Sequence, residues 1–259
     1  MQVLLSNDDG VNAPGLAALR AVVDDLGHVA VVAPESPQSA AGHAITVHQP
    51  LKVTRLDSPG PGEFKAISVD GRPADCVRLA IKILLAERPD LVLSGINAGA
   101  NVGINVFYSG TVAAAAEAAM CGIPAVAFSA AAEGGDIDYP RAAELCRWVL
   151  DRLLGGGIKR GDLVNVNIPT LGDGRPRGVR FVPQSTAGME DTYHGQRAAD
   201  GDELYRLGDD YSFHHQADSD VACLAEGYIT ITPLHVDMTN HDRLLTLGRL
   251  PWSDPPGRT

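Results

Sequence analysis

Asp8 and Asp9 stand side by side in Ser6-Asn7-Asp8-Asp9-Gly10, directly after the apolar run Val3-Leu4-Leu5. Adjacent carboxylates repel each other unless a cation lies between them or one is protonated. An oxygen-rich pair of this kind suits a hard divalent ion such as magnesium or manganese. Asn-Asp-Asp-Gly is also good turn chemistry, so on local sequence the metal and the turn stand level.

A second strand-like run, Asp90 to Ser94, ends in Gly95-Ile96-Asn97-Ala98-Gly99-Ala100-Asn101-Val102-Gly103-Ile104-Asn105. Asparagines recur there every four residues among glycines. Glycine lets backbone approach a ligand closely, and an asparagine amide offers both donor and acceptor. No Walker A lysine and no GxGxxG fingerprint is present, and a long turn is the simpler reading of this stretch alone. Tyr108-Ser109-Gly110-Thr111-Val112 leads into an Ala-rich helical pattern. Ser109 or Gly110 caps that helix, which leaves free N–H groups and hydroxyls at a positive helix end, a site suited to phosphate. On this motif alone simple capping is the favoured reading. Ser36-Pro37-Gln38-Ser39-Ala40-Ala41-Gly42-His43 follows another strand and brings hydroxyls to the same end of the fold, though alone it reads as a plain loop.

Other chemistries find less support. There is no GxSxG, which disfavours a serine hydrolase of the α/β type. Asp136 and Asp138 form a DxD in a Gly-rich setting that reads as a solvated turn. His214-His215, His235 and His241 lack the spacing of a helical ligand set and read as surface or packing residues. Trp148 falls in a helical pattern and reads as core. Cys76, Cys121, Cys146 and Cys223 form no CxxC, which argues against zinc and fits a reducing compartment.

The elements that must position these residues alternate. Strands are expected at Val3–Leu5, His28–Ala33, Leu51–Leu56, Phe64–Val69, Asp90–Ser94, Ile123–Phe128 and Leu163–Ile168. Between them helices are expected from Pro14, over Pro73–Ala86, over Thr111–Met120, and over Arg141–Leu154, the last stopped by Gly155-Gly156-Gly157. This β-α-β order predicts a doubly wound, mostly parallel sheet over residues 1–169. In such sheets ligands bind beyond the carboxyl ends of strands, near the switch in strand order. Residues 170–220 are polar, with short strand-like pieces at Val179–Pro183 and Glu203–Leu207, and read as an excursion or hairpin arm outside the sheet. Tyr228–Pro233 reads as one more strand, and Pro251–Thr259 as a frayed tail.

Composition narrows the partners. A single body of 259 residues buries roughly 70–75% of its unfolded surface and needs no staple. Twenty-one basic against 32 acidic residues give a net charge of −11. That disfavours a nucleic acid polymer or an acidic membrane as partner. A small anionic ligand stays open, because a bound cation reverses the local sign. No apolar stretch approaches the ~20 residues of a membrane span, and Met1 runs straight into a strand rather than a signal peptide. A cytoplasmic protein is expected.

Taken together, Ser-Asn-Asp-Asp-Gly, Pro-Glu-Ser-Pro-Gln-Ser, Ser-Gly-Ile-Asn-x-Gly-x-Asn and Tyr-Ser-Gly-Thr-Val-x-Ala-Ala occur in one order through residues 1–128. With Asp220 and Glu226-Gly227-Tyr228-Ile229-Thr230-Ile231-Thr232-Pro233-Leu234 further on, the chain closely resembles the stationary-phase survival protein SurE family of metal-dependent nucleotidases. The resemblance implies one Rossmann-like domain over residues 1–259, with a core of about 1–169 and 221–250 and an extended arm of about 170–220 used in oligomerisation. It implies a homodimer or homotetramer. It also implies one divalent ion per subunit, magnesium or manganese, held by Asp8, Asp9, Ser39 and Asn97. Asn101, Ser109, Gly110 and Thr111 would form the phosphate cradle. Metal-bound water would attack a nucleoside monophosphate, with Asp8 or Asp9 as the alternative base or nucleophile and His43 as a candidate proton donor to the leaving nucleoside. The chain departs from the family pattern at Ser39-Ala40-Ala41-Gly42-His43, where many members carry Ser-Gly and, near position 43, Asn or Ser. Aromatic residues are only 5% of the chain, so base selectivity is expected to be loose. Two other readings use the same residues: a non-catalytic nucleotide sensor, and a metal-dependent hydrolase of a non-phosphate bond.

Overall fold

The computed structural model describes residues 1–57, 65–132, 137–171, 174–208 and 211–251. Its strands are β1 (Gln2–Ser6), β2 (His28–Pro34), β3 (Val53–Asp57), β4 (Lys65–Val69), β5 (Leu91–Ala98), β6 (Ala125–Ala130), β7 (Leu163–Ile168), β8 (Val179–Phe181), β9 (Met189–Glu190), β10 (Tyr193–Arg197), β11 (Glu203–Leu207), β12 (Ser212–Phe213) and β13 (Ile229–Leu234). The helices are α1 (Pro14–Val23), α2 (Pro73–Leu79), α3 (Asn105–Tyr108), α4 (Gly110–Met120), α5 (Tyr139–Gly156), α6 (Asp220–Ala225) and α7 (His241–Leu247).

Nine strands form one sheet in the order β3-β4-β2-β1-β5-β6-β7-β13-β8. From β4 to β7 every pairing is parallel, with β3 antiparallel at one edge and β13 antiparallel to β7. The chain winds outward in both directions from the β1–β5 pair, so the switch point lies between those two strands. β1, β5, β6 and β7 are buried on both faces, which is why they read as apolar runs without alternation.

The two faces have separate cores. On one, Leu16, Leu19 and Val23 of α1 and Cys146, Val149 and Leu150 of α5 cover Leu5, Leu93 and Phe128. On the other, Cys76 and Val77 of α2 and the alanines of α4 cover Leu4, Val92 and Ala127. Pro14 and Pro73 occupy the first turns of α1 and α2, where a missing N–H costs nothing. Ala and Gly dominate α4, and its small side chains let it lie buried almost all round.

The doubly wound α/β sheet expected from the sequence is present. Several elements differ in detail. α2 gives way after Leu79 to a π-helical turn, Ala80–Leu84, rather than running straight to Ala86. α5 continues through Gly155 and Gly156 and stops at Gly157, whose φ of +91° only glycine adopts at no cost. β8 was expected outside the sheet, yet it pairs parallel to β13 and forms its edge. Its three residues offer almost no periodicity to read. The fully exposed β10–β11 hairpin is the part of the excursion that does stand apart. Trp148, expected in the core, is 41% exposed with the Arg152 guanidinium stacked on its ring. The turn-rich stretch 58–62, Asp136 and most of the C-terminal tail lie outside the described residues. Asp138 accepts from Arg141 N–H at 3.1 Å and so caps α5 rather than forming part of an acidic site.

Candidate active site

The carboxyl ends of β1 and β5 bring Asp8, Asp9 and Asn97 together at the switch point. Asn7 shapes the first turn: its amide donates to Gly10 O at 2.9 Å and its Oδ1 accepts from Gly10 N–H at 3.2 Å. The turn chemistry read in Asn-Asp-Asp-Gly is therefore real, and it serves to present the carboxylates. Asp9 Oδ2 accepts from the Ala98 N–H at 3.2 Å, which ties the β1 loop to the end of β5. Asn97 Nδ2 donates to Gly99 O at 2.7 Å, which orients the amide and keeps Oδ1 out of that bond. Gly95 makes this end possible. Its φ is +127°, and a Cβ there would meet Phe128 O at 2.2 Å.

The N-terminus of α4 faces the same loop. Thr111 Oγ1 donates to Asp8 Oδ1. Ser109 is the N-cap and accepts from Val112 N–H at 3.1 Å, so the capping reading of Ser-Gly-Thr holds. The cap uses one donor only. The N–H groups of Gly110 and Thr111 have no partner within the helix, and that of Thr111 turns to the Asp8 carboxylate together with the Thr111 hydroxyl. Gly110 packs directly on the carboxylate: a Cβ would come within 2.7 Å of Asp8 Cβ and 2.9 Å of Pro73 Cγ.

Burial raises the Asp8 carboxyl above the usual range, and Asp9's charge adds to it, while the Thr111 hydrogen bond opposes both. Burial raises Asp9 as well, against the Ala98 N–H. Among the described residues no Lys, Arg or His contributes to either shift. Nor do three or more His, Cys, Asp or Glu side chains cluster anywhere among the described residues in a way that could hold a metal ion. A cation here would rest on two carboxylates and neutral oxygens. Such a donor set fits a hard ion of the magnesium or manganese type.

Ser39 lies in an exposed loop between two fixed points. Gln38 N–H donates to Asp8 O at 2.8 Å and Gly42 N–H to Tyr108 O at 2.9 Å. Asn101 is buried in a polar layer instead. Its amide donates to Ser129 Oγ at 2.8 Å, its N–H to Asn167 Oδ1 at 2.8 Å, and its carbonyl accepts from Asn165 and Asn167. These bonds make Asn101 the anchor of the loop after β5. The His43 imidazole contacts Glu117 Oε2 at 3.0 Å, further along α4 than Thr111.

Sequence reading gave no role to three contributors, of which it had marked only Asp220, as part of the family resemblance. Asp220 is fully buried and accepts N–H groups of Gly103, Ser185 and Val221 at 2.8–2.9 Å, locking the loop after β5 to the segment after β8. Asp220→Ala would strand those donors and is expected to lower stability by about 3 kcal/mol in urea unfolding. Tyr139 at the start of α5 lies near enough to Asp9 for that charge to help raise its phenol, after burial. Glu117 joins α4 to α2 and to the Ser39 loop. Glu117 is a lone acidic residue in an Ala run, and that contrast is the one sequence signal that could have marked it.

A parallel α/β sheet with a buried carboxylate bonded to a helix N-terminus at its switch point is the arrangement in which α/β proteins bind small phosphorylated ligands. The family model described as Survival protein SurE matches residues 3–191, and the chain belongs to that family. A 5′-nucleotidase SurE of Moorella thermoacetica is 43% identical over 93% of this chain and 92% of its own length. The 5′-nucleotidase SurE 1 of Thermus thermophilus is 42% identical over 96% of this chain and 98% of its own. The crystal structure of the SurE protein from Aquifex aeolicus superposes with a TM-score of 0.81 at 36% identity, covering 95% of this chain and 98% of that one.

Proposed function

We propose that the protein is a divalent-metal-dependent 5′-nucleotidase that hydrolyses nucleoside monophosphates to nucleoside and phosphate. The observation that carries this reading is the Asp8–Asp9 pair, raised by burial with no basic side chain among the causes, and bonded through Thr111 to the N-terminus of α4. A phosphate ester needs both halves: positive charge at the phosphoryl oxygens and a carboxylate-held cation beside them. The relatives named as 5′-nucleotidases support the substrate class.

Asp8, Asp9, Asn97 and Ser39 would hold the ion. When bound, it supplies Lewis acidity toward the phosphoryl group and a water made nucleophilic at neutral pH. The Gly110 N–H and the Ser109 hydroxyl bind the equatorial oxygens, and their bonds strengthen as charge builds there, while the Thr111 N–H and hydroxyl hold Asp8. Thr111 holds Asp8 in one orientation, and Asn101 fixes the loop opposite. A cleft of about 410 Å³ runs along α4 from Ser109 and His43 to Met238 and would give the nucleoside room.

The test is inorganic phosphate release from a panel of nucleoside 5′- and 3′-monophosphates. Release from 5′-monophosphates supports the reading. Binding of the same compounds without release by folded, metal-loaded protein would turn it into a sensor.

The assembly we infer is a homodimer or a dimer of dimers. α7 and the segment before it expose Met238 at 81%, Leu245 at 65% and Leu244 at 59%, and the β10–β11 hairpin exposes Tyr193 and Tyr205. Apolar surface so concentrated is normally covered. Leu244→Glu combined with Leu245→Glu is expected to shift the mass in light scattering from oligomer to monomer. A wild-type monomer would remove this inference. No helix among the described residues is long and apolar enough to cross a membrane. With four free cysteines, this fits the cytoplasmic location we infer.

A further inference from the structure

Three elements meet at one buried carboxylate away from the metal-type cluster. Glu117 on α4 is 4% exposed. Its Oε1 accepts from Arg78 Nη1 of α2 at 3.0 Å, and its Oε2 contacts His43 Nε2 of the Ser39 loop at 3.0 Å. The His43 bond first, and the Arg78 charge with it, hold the Glu117 carboxyl below the usual range against its burial. Gly110 and Glu117 are seven residues apart, which is about 10 Å along a helix. The imidazole is therefore attached about two turns down α4 from Gly110, where its bond can hold the loop it comes from.

That role is legible in what lies between the anchors. Gln38 is fixed by Asp8 O and by Arg72 Nη1, which donates to Gln38 Oε1 at 2.7 Å. Gly42 is fixed by Tyr108 O, and Thr46 by Asp75, which accepts from its N–H and its hydroxyl. Inside this span Ala40 has a φ of +55°, a left-handed conformation that a non-glycine residue keeps only when its surroundings impose it. Within the span from Gln38 to Thr46, the His43 ring is the contact that carries a side chain from the loop to the body of α4. The loop thus borrows its position from the helix whose N-terminus closes the site.

We propose that His43 is a positioning residue: the Arg78–Glu117–His43 chain holds the Gln38–Thr46 loop over the mouth between Asp8 and the α4 N-terminus, and so sets divalent-metal affinity and substrate affinity. The proposal rests on the reading of Ser39 as part of the metal set. His43→Ala leaves the Arg78–Glu117 pair intact, so the helix packing survives. Removing a residue that orients a ligand-bearing loop is expected to weaken metal affinity about tenfold.

The experiment is direct Mn²⁺ binding to metal-stripped protein, followed by the EPR signal of the free ion, beside steady-state kinetics on a nucleoside 5′-monophosphate at saturating Mn²⁺. Wild type binds one ion. His43→Ala binds it about tenfold more weakly, with KM raised and kcat held within about twofold. His43→Gln, whose amide can still donate to Glu117, recovers most of both losses. Glu117→Gln, which loses the charge and keeps the shape, repeats the His43→Ala phenotype in milder form. Unchanged Mn²⁺ affinity and KM in folded His43→Ala would overturn the proposal while leaving the nucleotidase reading intact. Absence of Mn²⁺ binding by wild type would overturn the metal reading itself. Equal losses in His43→Ala and His43→Gln would show that the bond to Glu117 is not what matters.

Discussion

Asp8→Asn is expected to lose more than a hundredfold in phosphate release while the protein stays folded. Removing a residue that merely orients a metal ligand costs about 10–100-fold, so removing a ligand itself exceeds the top of that range. The fold is expected to tolerate the change for an electrostatic reason. Burial, then the Asp9 charge, place the Asp8 carboxyl above the usual carboxylate range. A group whose folded pKa is raised contributes stability in full below its unfolded pKa, and loses it as pH rises through the folded value. At neutral pH the metal-free protein therefore carries an uncompensated charge. Asparagine removes that charge and can still accept from Thr111. Without metal, the urea midpoint of Asp8→Asn at pH 7 is expected at or above that of wild type. The advantage should shrink as the pH falls through the carboxylate range. An inactive variant that is also unfolded at pH 7 would contradict this account of the pair.

Gly110→Ala is the second large effect. Two terms compete. Alanine in place of glycine inside a helix gains up to about 1 kcal/mol from propensity. Against that, the new methyl would sit 2.7 Å from Asp8 Cβ and 2.9 Å from Pro73 Cγ. Pro73 is buried in the first turn of α2 and cannot retreat. Overpacking of this kind costs about 1–3 kcal/mol, so strain wins and the variant is less stable. The easier relief is to push the Asp8 side chain out of line, and activity is expected to fall about a hundredfold, as when a preorganised donor is displaced. Urea unfolding with kinetics at saturating metal checks both halves. A variant of wild-type activity and raised stability would mean that α4 does not wall the carboxylate.

The parts of the fold that the sequence made legible are those governed by local physics. β1, β5 and β7 are short apolar runs closed by polar turns, and Pro14, Ser109 and Gly157 mark helix ends. The carboxylate pair and Ser-Gly-Thr were legible for the same reason: each is a local motif at a strand or helix end. What escaped depends on partners distant in sequence. β8 is three residues long and gains its place by pairing with β13, some fifty residues later. Asp220 is separated by 117 residues from the Gly103 amide it fixes. Trp148 lies on a helix whose stripe its neighbours fill, so its ring is left to solvent and to Arg152. Asn101 was placed in the phosphate cradle by the family resemblance, and the sequence alone did not show that it also holds its own loop through Ser129, Asn165 and Asn167. Glu117 reaches His43 across 74 residues, a distance that periodicity cannot see.

The most direct test of the central claim is a manganese titration of metal-stripped protein, with phosphate release from a nucleoside 5′-monophosphate as the readout. The account predicts no release with chelator present and a saturable return of activity that levels at one Mn²⁺ per chain. Release that continues undiminished in chelator would contradict it, because Asp8 and Asp9 would then be doing their chemistry without the cation that their pairing requires.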